Sequence, residues 1–293
     1  MSAFEDDTEI EGSRAPLLTH LVELRSRLIV CVAALAVGFI LCFIFSQQIY
    51  IVLLRPFQMA AALLAAQKAG GNHGPFDLLL AITGFKALPP NATAIKLVFT
   101  APLEFFFTKM KLAGFGAVVC CFPILAWQLY RFVAPGLYRR ERKAFFPFLM
   151  AAPVLFCMGA ALVYYIMLPF VLWFSLSQQI TGGDVQVELL PKVSDYLDLV
   201  TKLLLAFGLC FQLPVVLSLV GLAGLVSSEQ LGKFRRYAIV AIVFVAALIT
   251  PPDPVSQMLL AIPIYLLYEA SILCVKLIER GRKADESREL VVP

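Results

Sequence analysis

Few side chains in this sequence can do chemistry, and two short charged stretches hold most of them. In Leu17-Leu18-Thr19-His20-Leu21-Val22-Glu23-Leu24-Arg25-Ser26-Arg27-Leu28, the residues Leu17, Leu21, Leu24 and Leu28 recur at helical spacing. Glu23 and Arg27 then fall four apart on one face, the spacing of an ordinary helix ion pair. In Phe132-Val133-Ala134-Pro135-Gly136-Leu137-Tyr138-Arg139-Arg140-Glu141-Arg142-Lys143, one carboxylate stands among four cations, which keep it ionised. Taken alone, this second stretch also fits a plain basic loop. Two more polar residues lie in apolar surroundings. Gln212, in Gly208-Leu209-Cys210-Phe211-Gln212-Leu213-Pro214, needs a hydrogen-bond partner, on another helix or on backbone freed by Pro214. Glu269 is a functional candidate by default, although Lys276 two turns on fits an interface position equally well.

Other chemistries find no support. The cysteines Cys31, Cys42, Cys120, Cys121, Cys157, Cys210 and Cys274 sit in apolar runs without C-x-x-C spacing, and read as small hydrophobes. His20 and His73 have no partner cluster, so no metal site is expected. No phosphate-cradling G-x-x-x-x-G-K-[ST] loop occurs. The sequence therefore predicts no catalytic residues, no metal and no cofactor.

The elements that must hold Glu23, Glu141 and Gln212 are membrane spans. Of the 293 residues, 60% are hydrophobic and 15% charged, with mean hydropathy +0.86. A soluble domain keeps roughly a quarter of its residues charged, and a disordered chain is far more polar. The net charge of +4 is spread along the chain and makes no nucleic-acid footprint. A span needs about 20 apolar residues for a hydrocarbon core of about 30 Å. Six runs qualify as candidates: Leu28–Phe45, Leu112–Tyr130, Pro147–Phe174, Leu203–Val226, Tyr237–Thr250 and Val255–Cys274. The last two are short; Tyr237–Thr250 as a helix reaches only about 21 Å. Such spans thin the bilayer, stay buried in the bundle, or re-enter. Prolines within and beside the runs, Pro56 and Pro214 among them, read as kinks or caps.

Basic residues set the orientation. Arg25 and Arg27 precede the first run, and Arg131, Arg139, Arg140, Arg142 and Lys143 follow the second. Lys233, Arg235 and Arg236 follow the fourth, and Lys276, Arg280, Arg282 and Lys283 follow the sixth. The turn Pro251-Pro252-Asp253-Pro254 carries none. Both termini are expected in the cytoplasm, with Glu23 and Glu141 at the same interface. There the guanidinium groups of a cationic peptide can meet both carboxylates in bidentate pairs. The organisation expected is an acidic tail over residues 1–16, a core over 17–280, and a polar, disordered tail over 281–293. The acidic start is not a cleaved signal peptide. A long external loop, 46–110, has a helical beginning at Ile51–Lys68 and breaks at Gly70–Pro75 and Pro89–Asn91. No internal repeat is visible, which counts against the alternative of a secondary transporter for small solutes. An intramembrane enzyme would need a nucleophile with a base, or a metal cluster.

His20-Leu21-Val22-Glu23-Leu24-Arg25-Ser26-Arg27-Leu28 resembles the H-L-x-E-L-R-x-R-L signature of the TatC family, the polytopic core of the twin-arginine translocase. Four further stretches match in order: Phe132–Tyr138 with Glu141-Arg142, Ala206–Pro214, Thr250–Asp253, and Ser256-Gln257 leading to Leu259–Pro263. The resemblance implies an all-α, glove-like bundle of six transmembrane helices with short fifth and sixth spans and both termini cytoplasmic. It implies a receptor for signal peptides bearing paired arginines. Such a receptor works in the bacterial inner membrane with the single-span subunits TatA and TatB, as a homo-oligomer within a larger complex. Folded proteins would cross at the expense of the proton-motive force. By the same resemblance, Glu23 and Glu141 bind the arginine pair, with Arg25, Phe132, Pro135 and Tyr138 in the same patch. Pro56 and Asp253 match external-face positions, and Gln212 a partner-contact position. Many relatives carry Glu where this chain has Gln212, and an amide cannot ionise. Residues of about 58–93 resemble an insertion relative to shorter relatives.

Overall fold

Apolar stretches with few charges can satisfy their backbone groups in hydrocarbon only as helices, and helices are what they form. The computed structural model describes residues 3–68, 98, 100–133, 139–178, 180–181, 186–187, 192–249 and 254–289. Helix α1 (Ala3–Ile44) passes through a single turn residue into α2 (Ser46–Lys68). Then come α3 (Glu104–Val133) and α4 (Arg139–Leu162), which runs through a π-turn (Val163–Met167) into α5 (Leu168–Ser177). A two-residue antiparallel pair, β1 (Ile180–Thr181) and β2 (Gln186–Val187), precedes α6 (Val193–Cys210) and α7 (Leu213–Leu222). The chain ends in α8 (Ser228–Lys233), α9 (Arg235–Ile249) and α10 (Pro254–Glu289).

Five segments among the described residues are long and apolar enough to cross a membrane: Leu21–Ile44, Glu104–Phe132, Phe148–Ser175, Val193–Leu222 and Ser256–Gly281. The fifth apolar run is α9, whose 15 residues reach about 22 Å, as short as its sequence predicts. The sixth run differs from expectation. It lies inside the 36-residue α10, which continues past Cys274 because Lys, Glu, Arg and Ala are good helix formers. For the same reason the polar C-terminal segment is helical to Glu289, and α1 already begins at Ala3 within the acidic segment. Helix α2 covers the expected Ile51–Lys68 and starts five residues earlier, at Ser46.

Small residues set how closely the helices approach. Along α1 and α3 two notches face opposite ways. A Cβ on Gly38 of α1 would lie 2.6 Å from Cys121 Sγ, and one on Gly116 of α3 would lie 2.9 Å from Cys42 Sγ. Cys121 also donates to the Ala34 carbonyl at 3.2 Å. Between α4 and α6, a Cβ on Gly159 would meet the Phe207 carbonyl at 2.8 Å. Gly208 is tighter still, 2.5 Å from the Phe156 ring, which stacks on Phe122 at 4.1 Å. Gly221 of α7 receives Val275 of α10 at 2.8 Å. Around these contacts lies the buried core, with Val163, Leu168, Val200, Leu203, Phe207, Leu260 and Val275 inaccessible.

Polar groups tie the ends of the helices. At the start of α3, Glu104 accepts from the Thr100 and Ala101 amides (2.8 and 3.1 Å) and from the Ser194 hydroxyl of α6 (2.5 Å). Two turns on, Lys111 pairs with Asp198 at 2.8 Å. At the opposite end, Ser227 and Gln230 form a reciprocal capping box that starts α8. Gly208→Val would drive two methyl groups into Phe156, so we expect a loss of about 1–3 kcal/mol. Thermal unfolding in detergent micelles would show it as a lowered Tm, with Gly114→Val, where nothing lies within 4 Å of the added atom, as the control.

Candidate functional site

Glu23 and Arg27 sit near the start of the α1 span, one turn apart as their spacing requires, with Nη2 and Oε2 3.5 Å apart. That separation is long for a hydrogen bond. Glu23's side chain is 46% exposed, so the carboxylate is close to a cation without being consumed by it. Helix α3 packs along α1 and delivers its C-terminal turns to the same place. Gln128 and Arg131 thereby join Glu23, Ser26, Arg27 and Val30 around an open cavity of about 210 Å³. One carboxylate, two guanidinium groups, a hydroxyl and an amide thus line a space large enough for a side-chain head group.

Sequence reasoning missed Gln128 and the lining role of Arg131. Both lie on one face of α3 three residues apart, but only the pairing of α1 with α3 shows that this face meets Glu23. Arg25 is exposed and does not line the cavity. Phe132 is half-buried at the end of α3, next to Arg131. Glu141 is the third residue of α4, where the helix N-terminus favours an anion, but its side chain falls outside the described residues. Pro135, Tyr138 and Asp253 also lie outside them. The joint placement of Glu23 and Glu141 therefore stays with the sequence argument.

Gln212 occupies the break between α6 and α7, ahead of Pro214. Its Nε2 donates to the Ala152 carbonyl of α4 at 2.9 Å, so the amide has the interhelical partner that its depth demands. It also lines an apolar groove of about 660 Å³ with Phe122, Leu129, Val216 and Leu219. Glu269 resolves as an interface residue. It accepts from Arg235 of α9 and from Tyr265, both at 2.8 Å. Nearby, Tyr268 donates to the Leu231 carbonyl at 2.8 Å, and the Ser228 amide donates to Glu279 at 2.8 Å. Lys233 bonds Glu229 at 2.8 Å and holds its carboxyl below the usual range. The Arg235–Glu269, Tyr268–Leu231 and Ser228–Glu279 contacts clamp α8 and α9 to α10. Pro56 is buried within α2. Among the described residues no group of three or more His, Cys, Asp or Glu is arranged for a metal.

Residues 19–263 match the family described as Sec-independent protein translocase protein (TatC). A protein of that name from Magnetococcus marinus is 42% identical over 276 residues, 94% of this chain and 89% of that protein. The Escherichia coli K12 protein of the same name is 32% identical over 272 residues, 92% of each. A crystal structure described as the twin arginine translocase receptor TatC superposes with a TM-score of 0.69 at 32% identity, covering 89% of this chain and 99% of the other.

Replacing Gln212 by Leu removes one interhelical hydrogen bond within the bundle. Such bonds contribute about 0.6 kcal/mol on average and up to about 1.7. We therefore expect Gln212→Leu to fold and to lower Tm only slightly in detergent, and Gln212→Asn, too short to reach Ala152, to behave like it.

Proposed function

The chain belongs to the TatC family of Sec-independent protein translocase proteins, and on that premise we propose that it is the signal-peptide receptor and assembly core of a twin-arginine translocase. It is a multi-pass bacterial inner-membrane protein and a component of a protein translocase. The proposed topology has six spans, the short α9 completing the count, with both termini in the cytoplasm. That orientation puts Glu23, Arg131 and the start of α4 at the inner leaflet, where a signal peptide arrives.

The observation that carries the reading is Glu23 at the mouth of its cavity, half-exposed and only loosely held by Arg27. A guest guanidinium can take the free lone pairs of this carboxylate in a short, charge-assisted contact. Arg27 and Arg131 raise the cost of any cation that does not reach it. Glu141, with Phe132, Pro135 and Tyr138 near it in sequence and Arg25 beside Glu23, would supply the second carboxylate and the walls. Pro56 and Asp253 belong to the external face. TatA and TatB would be the single-span partners, with Gln212 and its apolar groove as a contact, and further copies of this chain would complete the working complex. A core filled by side chains such as Val200 and Phe207 supports passage through the assembly rather than through one copy. The membrane potential supplies roughly 2.3 kcal/mol per charge per 100 mV, which suits a chain without a nucleotide loop.

Glu23→Ala and Glu141→Ala should each weaken site-specific crosslinking of a paired-arginine signal peptide, while membrane insertion stays normal. Losing one hydrogen bond between charged groups costs about 1.5–3 kcal/mol, which is about 10- to 150-fold in affinity. Equal crosslinking to wild type and to the double variant overturns the receptor reading. Separately, Gln212→Leu should reduce co-purification of TatA and TatB, and unchanged recovery removes Gln212 from the partner surface.

A further inference from the structure

Proline has no amide hydrogen, so within a helix it leaves the carbonyl four residues earlier without a donor. In α2 the proline is Pro56 and the orphaned carbonyl belongs to Val52. A helix carbonyl that loses its amide donor must find another donor, on the protein or in water. Here it is not left bare. The Tyr164 hydroxyl donates to the Val52 carbonyl at 2.7 Å. The Tyr196 hydroxyl donates to the adjacent carbonyl, Leu53, also at 2.7 Å. The two phenols come from different elements, the π-turn after α4 and the second turn of α6, yet meet neighbouring carbonyls in the turn that precedes the proline.

Both phenols are fixed for the task. Tyr196 is 5% exposed, and its ring centroid is 5.2 Å from that of Phe57. Tyr164 lies in the five-residue π-turn, where an extra residue re-aims the side chains that follow; such turns recur at functional sites. Around the proline the contact surface of α2, Leu53, Leu54, Phe57, Ala60 and Ala61, is apolar. Apolar contact is non-directional, and alanines offer little to stop a helix rotating or sliding. Among the described residues, the two hydroxyl bonds are directional contacts that favour one rotational setting.

We propose that Tyr164 and Tyr196 are positioning residues that latch α2 to the bundle through the carbonyl freed by Pro56 and its neighbour. Pro56 then matters chiefly because it frees an acceptor within reach of Tyr164, and the two tyrosines set where the segment after α1 sits. The consequence for transport rests on the translocase reading above; the latch does not.

The test uses the full chain in membranes with its partner subunits, as Tyr164→Phe, Tyr196→Phe, Pro56→Ala and the double variant Pro56→Ala/Tyr164→Phe. Tyr→Phe keeps the ring and the packing. Hydrogen exchange over α2, read by mass spectrometry, should quicken about tenfold in each Tyr→Phe variant, the factor that matches a typical hydrogen bond. Export of a paired-arginine precursor should fall, while crosslinking of the free peptide at Glu23 is unchanged. Pro56→Ala restores the amide that competes for Val52, so the double variant should export no worse than the poorer single. Unchanged exchange in both tyrosine variants overturns the latch, as does a double variant whose loss is the product of the two singles. Normal export in a variant with faster exchange overturns the positioning role. Failure of the receptor reading shows elsewhere, as lost dependence of wild-type crosslinking on Glu23.

Discussion

Every backbone amide and carbonyl that sits at hydrocarbon depth must find its partner inside the protein, and the rest of this fold follows from that demand. Most of the chain meets it with uninterrupted helix. The interesting places are those where helix is interrupted, because a second group must then be supplied from elsewhere. At Pro56, in α2 outside the candidate spans, the Tyr164 phenol takes the freed carbonyl. Where α6 gives way to α7, an amide side chain reaches across to the Ala152 carbonyl of α4. Each interruption thus becomes a joint between helices that are distant in sequence, and these joints, with the glycine contacts, give an otherwise greasy bundle a specific arrangement.

Charge is handled by the same economy of position. Among the described residues several ionised groups near the ends of the helices are matched across elements. Lys111 with Asp198 and Glu104 with Ser194 tie α3 to α6, while Arg235 with Glu269 and Ser228 with Glu279 tie α9 and α8 to α10. Against this background Glu23 stands apart. Among the described residues its cation partner is Arg27, 3.5 Å away, and nearly half of its side chain is open. A carboxylate so loosely engaged, beside two arginines and a cavity, contrasts with Glu269, whose two oxygens are each taken at 2.8 Å.

The sequence was legible where the physics is local. Apolar runs bounded by arginines and lysines gave the helices, the Ala- and Leu-rich stretch from Ile51 gave α2, and fourteen uncharged residues before Pro251 gave the short α9. Where the outcome depended on tertiary pairing, local reading stopped. Nothing near Arg131 indicates that it faces Glu23, since that follows from the packing of α1 on α3. The end of α10 could not be placed from hydropathy, because a helix can outlast its apolar face. Gln212 was recognised as needing a partner, yet its choice of Ala152 requires the α4–α6 contact set by Gly159 and Gly208. For Glu269, two readings stood level until Arg235 proved to be beside it. Glu141, Pro135, Tyr138 and Asp253 keep the roles that the family resemblance implies, as proposals.

The opposed notches of α1 and α3 have a mechanical meaning. Only 11% of the α1 span window is buried, so little besides α3 restrains it. Gly38 takes the sulfur of Cys121 while Gly116 takes that of Cys42, and a dovetail cut in both directions cannot slip along its length in either. A pull on the Glu23 end of α1 is therefore borne by two helices as one beam, and neither is drawn past the other as a single strut.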